Sequence, residues 1–280
     1  MAATENGKKY VIGKGKLFFD KFMAGAKLGT GERYLGNSPE LSSNQSQDTL
    51  DHIDADQGLN VKDEQITISN DLGGAFALDS IDTQNVAMWF GGDIDKQTVA
   101  AATAITETFT TDQWTPGGWK QLGTAVDQPQ GTRSVTNVTI STSVPAVVPT
   151  DPPVVTALTA QQLEDNFEID LEGARIYLEP TSTLFTATPG TSLVVKYDQE
   201  AITNEIIIGK GMEIRGALRF QAKNPKGENK DYFWPYVKIT ANGDYALKGD
   251  TWQQMSFNYE VLKKDDTTER VYITNRPATA

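Results

Sequence analysis

The side chains able to do chemistry are few, and their spacing matches no catalytic device. The one histidine is His52. A nucleophile, base and orienting acid could be assembled only around it, yet its neighbours Asp48, Asp51, Asp54 and Asp56 make a polar, acidic stretch unlike a buried catalytic cleft. Asp54-Ala55-Asp56-Gln57-Gly58 has oxygen ligands in the manner of a calcium loop. Its glycine comes one place early and Gln65 stands where a bidentate glutamate is needed, so a solvated loop is expected. Gly209-Lys210-Gly211 follows the apolar run Ile206 to Ile208, but Ile214 occupies the third glycine position of a dinucleotide fingerprint and no helical pattern follows; a bend between strands is expected. No Gly-x4-Gly-Lys-Ser/Thr loop is present, and with 37 acidic residues carboxylate pairs arise by chance and identify no glycosidase. These residues predict a protein that is not an enzyme and that holds neither metal nor cofactor.

Two further segments could bind rather than react. Trp114-Thr115-Pro116-Gly117-Gly118-Trp119 sets two indoles around a Pro-Gly-Gly turn, where they could stack on a sugar ring, pack into a neighbouring subunit, or cap the core of their own module. Ser42 to Asn60 is polar, acidic and too long for a hairpin turn. It is predicted to be a loop, either mobile or ordered on a partner.

The elements that would carry these residues are mostly strands. Period-two alternation is clearest at Ile214, Gly216, Leu218, Phe220 and Ala222, which interleave with Arg215, Ala217, Arg219, Gln221 and Lys223. Asn224-Pro225-Lys226-Gly227 predicts a type I turn into a strand from Tyr232 to Thr240. Asn242-Gly243 then predicts a tight hairpin leading to a strand with Met255, Phe257, Tyr259 and Val261 on one face. Earlier strands are predicted around 14–22, 33–41, 61–69 and 74–79. One short amphipathic helix is predicted from an N-cap at Ser80 or Asp82 to a stop at Gly91, with Val86, Trp89 and Phe90 at helical spacing. Between 113 and 201 the composition shifts to Thr, Pro, Gly and Val, with four prolines between Val144 and Val155. The predicted organisation is a mostly β, antiparallel sandwich or barrel-forming domain over 1–112 and 202–280, one flanking helix, and an inserted small β module over 113–201.

Bulk properties bound the partners. With 280 residues, 25 basic against 37 acidic side chains and a net charge of -12, the chain is poorly suited to hold nucleic acid by counterion release. It has no cysteine, so stability must come from burial and strand pairing. Met1 to Tyr10 is polar without the apolar core of a secretory signal, and no apolar run approaches the roughly 18 residues of a membrane span, so a soluble protein made in the cytoplasm is expected.

Several stretches, in order, resemble one family. Gly13-Lys-Gly-Lys-Leu-Phe-Phe-Asp20 followed by Gly31-Glu-Arg-Tyr-Leu-Gly-Asn-Ser-Pro-Glu-Leu41 resembles the opening of the major tail (tail tube) proteins of long-tailed, non-contractile bacteriophages, the siphophages, with Ser38 for the usual threonine. Asp82-Thr-Gln-Asn-Val-Ala-Met-Trp-Phe-Gly91 is similar to that family's D-x-x-N-x-A helix. Gly58 to Asp63, Asp165 to Ile176, Ile214 to Phe220, Asp231 to Pro235 and Gly249 to Trp252 extend the likeness over most of the chain. The resemblance implies a virion protein assembled in the host cytoplasm into hexameric rings that stack as a tube, the conduit for DNA ejection. It implies as partners further copies of the chain, tail terminator and tail tip proteins, a tape measure protein in the lumen, and phage DNA in transit without specific binding. On that reading Asp48, Asp51, His52, Asp54 and Asp56 lie in a loop contacting the next ring, and Glu40, Glu64, Glu107 and Glu205 are candidates for an acidic lumen. Trp114 and Trp119 are candidates for an inter-subunit contact. The alternative is a carbohydrate-binding or adhesin-type β-sandwich using the two indoles.

Overall fold

The computed structural model describes residues 10–23, 25–54, 58, 60–146, 152–185 and 190–276. In chain order the first elements are β1 (Gly15–Lys21), β2 (Arg33–Tyr34), β3 (Glu40–Asp54), β4 (Val61–Leu78), α1 (Thr83–Trp89) and β5 (Gly92–Val99). Next come β6 (Ala102–Phe109), β7 (Trp119–Gln121), β8 (Val135–Val144), β9 (Val154–Ala157), α2 (Ala160–Asn166), β10 (Phe167–Asp170), β11 (Arg175–Leu178) and β12 (Ser192–Gln199). β13 (Ile202–Gly209), β14 (Ile214–Ala222), β15 (Lys230–Ala241), β16 (Met255–Val261) and β17 (Tyr272–Asn275) complete the chain. The protein is mostly β with antiparallel sheets, as the alternation predicts.

It divides into two compact units, residues 1–95 with 205–280, and residues 96–204. The second unit starts earlier than the composition shift at 113 suggests, because β6 pairs along β12 from Phe109↔Leu193 to Ala102↔Gln199. Strand pairing across a hundred residues outweighs local composition.

The first unit is built on one sheet ordered β2-β1-β14-β15-β16-β4-β3, with β17 beside the start of β15. Seven strands laid flat would hold their outer edges about 29 Å apart at about 4.8 Å per strand. Yet the edge strands β2 and β3 are joined by residues 35–39 alone, a link that reaches at most about 20 Å. The sheet must therefore curl, and the link is tied to both sides: Leu35 N donates to Leu17 O at 3.0 Å and Asp79 N to Asn37 O at 3.3 Å. Inside the curl lie Leu17, Phe19, Phe76, Leu78, Ile214, Leu218, Trp234, Val237, Ile239, Met255, Phe257 and Tyr259, with Met88 of α1 against them. Pro235, in the middle of a central strand, is tolerated because two residues there, Pro235 and Tyr236, oppose Ala217 in a bulge, so the missing N–H breaks no ladder bond.

Helix α1 starts where its sequence says. Asp82 caps it by accepting from Asn85 N at 2.7 Å. The fully buried Asn85 then fastens the helix to the sheet: its Nδ2 donates to Leu35 O and Ser80 O, both at 2.9 Å, and its Oδ1 accepts from Arg33 at 2.7 Å. Burial pushes the Arg33 guanidinium below its ordinary range, with Asp82 opposing the shift. The D-x-x-N spacing is thus a structural lock. Phe90, expected on the packed face, is exposed, and Ala87 and Met88 are buried instead.

Two other expectations fail for local reasons. Asn242-Gly243 does not make a tight hairpin, since Gly243 alone of the pair has positive φ, +68°. The connection runs from Asn242 to Gln254 and packs Tyr245 on Trp89 at 5.8 Å. A second helix, α2, is present where one helix was predicted. Its start is written in Thr159 and Gln162, which form a capping box.

The second unit is a pair of sheets, β6-β12-β8-β9 and β10-β11-β7, enclosing a shared core of Phe109, Ile140, Phe167, Ile176, Leu178, Leu193, Val195 and Tyr197. Asp198 of β12 clamps both neighbouring strands, accepting from Ala104 N at 2.6 Å and from Asn137 Nδ2 at 2.7 Å. Both partners have positive φ, so one carboxylate holds two strained positions, and the Asn137 bond followed by that from Ala104 lowers its pKa.

Candidate functional site

The most distinctive feature of the first unit is a β arm. β16 pairs with β4 only from Gly73 to Leu78, but β3 and β4 continue pairing with each other out to Asp54 and Val61. Residues 45–54 and 61–72 are therefore a two-stranded ribbon with no third strand beside it among the described residues. At about 3.3 Å per residue it extends about 33 Å. Polar side chains tie its strands: Gln45 Nε2 to Asn70 Oδ1 at 2.9 Å, Ser69 Oγ to Asp48 Oδ2 at 3.2 Å, and Gln65 Nε2 to Thr49 Oγ1 at 2.9 Å and to Asp51 Oδ1 at 2.8 Å. Lys62 Nζ lies 2.7 Å from Asp51 Oδ1, and that bond, ahead of the one from Gln65, holds the Asp51 carboxyl below its ordinary range.

Of the segment 42–60 expected to be a loop, residues 42–54 are thus strand β3, with Asp48, Asp51, His52 and Asp54 in register against β4, and 55–57 and 59 lie outside the described residues. Asp56 lies outside the described residues. Its sequence hides the strand because both faces meet solvent, and no buried face imposes alternation. The partner strand was legible from its β-branched run Ile66-Thr67-Ile68. His52 Nδ1 lies 2.6 Å from Asp63 Oδ1 across the ribbon, on an open surface. Among the described residues no group of three or more His, Cys, Asp or Glu could hold a metal ion.

A ribbon this exposed still carries apolar side chains. Leu50 and Ile66 face each other across the strands at 57% and 56% exposure, and Ile68, in the bulge beside Asp48 and Thr49, is exposed as well. A two-stranded ribbon is at best marginal in water by itself, and this one leaves a leucine and two isoleucines largely uncovered.

At the other end of β3 the curl of the sheet stays open. β2 covers β1 only at Phe18 and Phe19, and a groove of about 1110 Å³ separates Gly13–Leu17 from Pro39–Ser43. Phe220, Tyr232, Trp234 and Tyr259 line it; Tyr232 stacks on Trp234 at 6.0 Å and Trp234 meets Tyr259 at 5.4 Å. Its charged lining residues are Lys14, Lys16, Lys223 and Glu40. Glycine is obligatory beside it: a Cβ on Gly74 would come within 2.0 Å of Ser42 O and 2.7 Å of the Tyr259 ring.

Residues 10–118 match a protein family described as Protein of unknown function UCP028589. The matched stretch includes the arm, α1 and β6. No curated protein matches the chain. Among the described residues no helix is long and apolar enough to cross a membrane.

The remaining sequence candidates are scattered. Glu40 opens β3 and Glu64 sits on the arm opposite His52, both exposed, while Glu205 is exposed on β13. Glu107 was expected in the first unit but belongs to the second, where its Oε1 accepts from Tyr197 Oη at 2.6 Å and Gly123 N at 2.7 Å. It is a strut that ties Tyr197 of β12 to the backbone at Gly123. Burial first, then that bond, raises the Tyr197 phenol above its ordinary range. Trp114 is 3% exposed, packed against Phe109 and Phe167, with Nε1 donating to Gly118 O at 2.9 Å. It is a core residue and is not available to a sugar or a subunit. Trp119 is 44% exposed beside Tyr177, with the Arg175 guanidinium 5.0 Å from its ring. Trp252, at 93% exposure, is the most open indole among the described residues.

Proposed function

We propose that the protein is a structural subunit that self-assembles head to tail, as a tail tube protein of a long-tailed phage does, with rings stacking into a conduit for DNA. The observation that carries this reading is the arm. A ribbon about 33 Å long is held to the rest of its chain near its base, by Leu72 against the core and by Arg270 donating to Asn70 O; farther out it exposes Leu50 and Ile66, and it gains stability when a neighbour covers it. Open sheet edges support the same reading. Among the described residues β3 has no strand along its outer side and β1 is covered by β2 over two residues only, and such open edges are templates for pairing with another chain. A contact between two different patches propagates into rings or filaments rather than closing as a dimer. Hexameric closure, the terminator, tip and tape measure proteins, and an acidic lumen belong to this proposal, with Glu205 as the lumen candidate that lies on neither the arm nor the groove.

The carbohydrate-binding reading loses its basis in paired indoles, because Trp114 is inside the core and Trp119 is left alone. Negative-stain microscopy and sedimentation of purified protein at rising concentration test the assembly reading. Rings or tubes are expected, and a strict monomer at millimolar concentration refutes it.

A further inference from the structure

We infer that the aromatic groove between β1 and β3 is the receptor for the acidic arm of a second copy of this chain. The inference rests on the self-assembly reading and supplies its contact.

Position comes first. The groove lies beside Pro39–Ser43 and the arm ends at Asp54, so donor and receptor sit at opposite ends of one strand, about 40 Å apart by strand rise. A copy displaced along that strand presents its groove to the arm of the copy behind it. This is a heterologous contact that repeats without limit, whereas two patches at the same end would pair off.

Charge is complementary. The arm carries Asp48, Asp51, Asp54, Asp63, Glu64 and Asp71 against Lys62 as its one lysine. The groove carries Lys14, Lys16 and Lys223 against Glu40. Asp51 is partly neutralised by Lys62 and Asp63 is bonded to His52, but Lys14, Lys16 and Lys223 have no carboxylate partner among the described residues. Lys16 Nζ instead rests 5.4 Å from the Tyr34 ring. Three exposed lysines lining one groove give it a positive balance that favours an anionic guest.

Surface character also matches. The groove offers the partly exposed rings of Phe220 and Tyr232 over the nearly buried Trp234 and Tyr259, and Leu50 with Ile66 supplies apolar side chains flanked by the carboxylates. Among the described residues no strand pairs with β1 at Gly15 and Lys16 on its outer side or with β3 at Leu41 to Ser43 on its outer side, although Ser42 O already accepts from Tyr259 Oη at 3.0 Å, so docking combines strand addition at the remaining backbone groups with charge recognition.

The chain has no cysteine, which permits a direct test. Chains bearing Lys16→Cys are mixed with chains bearing Asp51→Cys under mild oxidation. A disulfide-linked dimer of one of each is expected, with at least about tenfold less when Lys14→Glu and Lys223→Glu are added to the first chain. Charge exchange provides a second measurement. The groove variant Lys14→Glu, Lys16→Glu, Lys223→Glu should lower self-association by roughly tenfold or more at low salt, and mixing it with the arm variant Asp48→Lys, Glu64→Lys, Asp71→Lys should restore it. If the wild type associates but no cross-link forms and charge exchange restores nothing, the groove is not the receptor while the assembly reading stands. If the wild type does not associate at all, both fall.

Discussion

Asn85 is the position at which one substitution should cost most for its size. Replacing it with alanine removes two donors and one acceptor from a side chain with no solvent exposure, leaving Leu35 O and Ser80 O without their 2.9 Å bonds and Arg33 without its 2.7 Å acceptor. An orphaned buried carbonyl costs about 1 kcal/mol, and a lost bond to a charged group about 1.5–3 kcal/mol. Arg33 keeps Asp82 at 3.3 Å, which reduces the last figure, so the total is about 3–4 kcal/mol. Because the chain divides into two compact units, a global melting curve does not report on one of them alone, and amide hydrogen exchange read peptide by peptide is the better assay. Exchange in β1, β14 and β16 should accelerate by roughly 10² to 10³ in Asn85→Ala, the Boltzmann factor of that energy, while β12 in the other unit keeps its rate. Asp82→Ala, which removes only the cap, should cost about 1 kcal/mol. Protection in β14 within tenfold of wild type for Asn85→Ala would refute the lock.

Three other outcomes are expected. Leu50→Ser with Ile66→Ser should leave the isolated subunit within about 0.5 kcal/mol of wild type, since both side chains are already half exposed, but weaken assembly by about 2 kcal/mol, or roughly thirty-fold in critical concentration by sedimentation. Equal assembly would deny the arm its apolar contact. Gly74→Val should separate β3 from β4 where the arm leaves the sheet, because its Cβ would meet Ser42 O at 2.0 Å, and limited proteolysis should then cut within 40–54 far faster than in wild type. Asp265 accepts from Thr268 and Thr267, which lower its pKa to about 2, so what it contributes to stability is present above its unfolded value of about 3.8 and is lost as pH falls from there to about 2. A carboxyl NMR titration with a midpoint near 4 would contradict this.

Much of the architecture was legible in the amino-acid sequence. The strands of the last third declare themselves through alternation: in β16 Met255, Phe257, Tyr259 and Val261 are buried between more exposed residues, and in β14 Ile214 and Leu218 follow the same rule although Ala217, buried with Phe22 and Tyr236, breaks it on the other face. Asp82 and Thr159 announce their helices through the short-range bonding of the first turn, a local interaction that local sequence determines. What stayed hidden depends on residues far apart in the chain. The arm has no buried face, so its polar strand β3 reads as a loop until β4 lies beside it, and Glu107 reads as a surface acid until Tyr197 reaches it from ninety residues away. Trp114 and Trp119 look alike in sequence, yet one is core and the other surface, because a sheet that pairs β7 with β11 and faces Phe109 and Phe167 buries only one of them. The groove and its lysines belong to the same class. Lys14, Lys16 and Lys223 become one rim only when β1 pairs with β14, which places Gly15 opposite Ala222. Side-chain periodicity and capping act over a few residues and survive in the sequence; which charges become neighbours is set by strand register, and register is decided by the packing of the whole sheet.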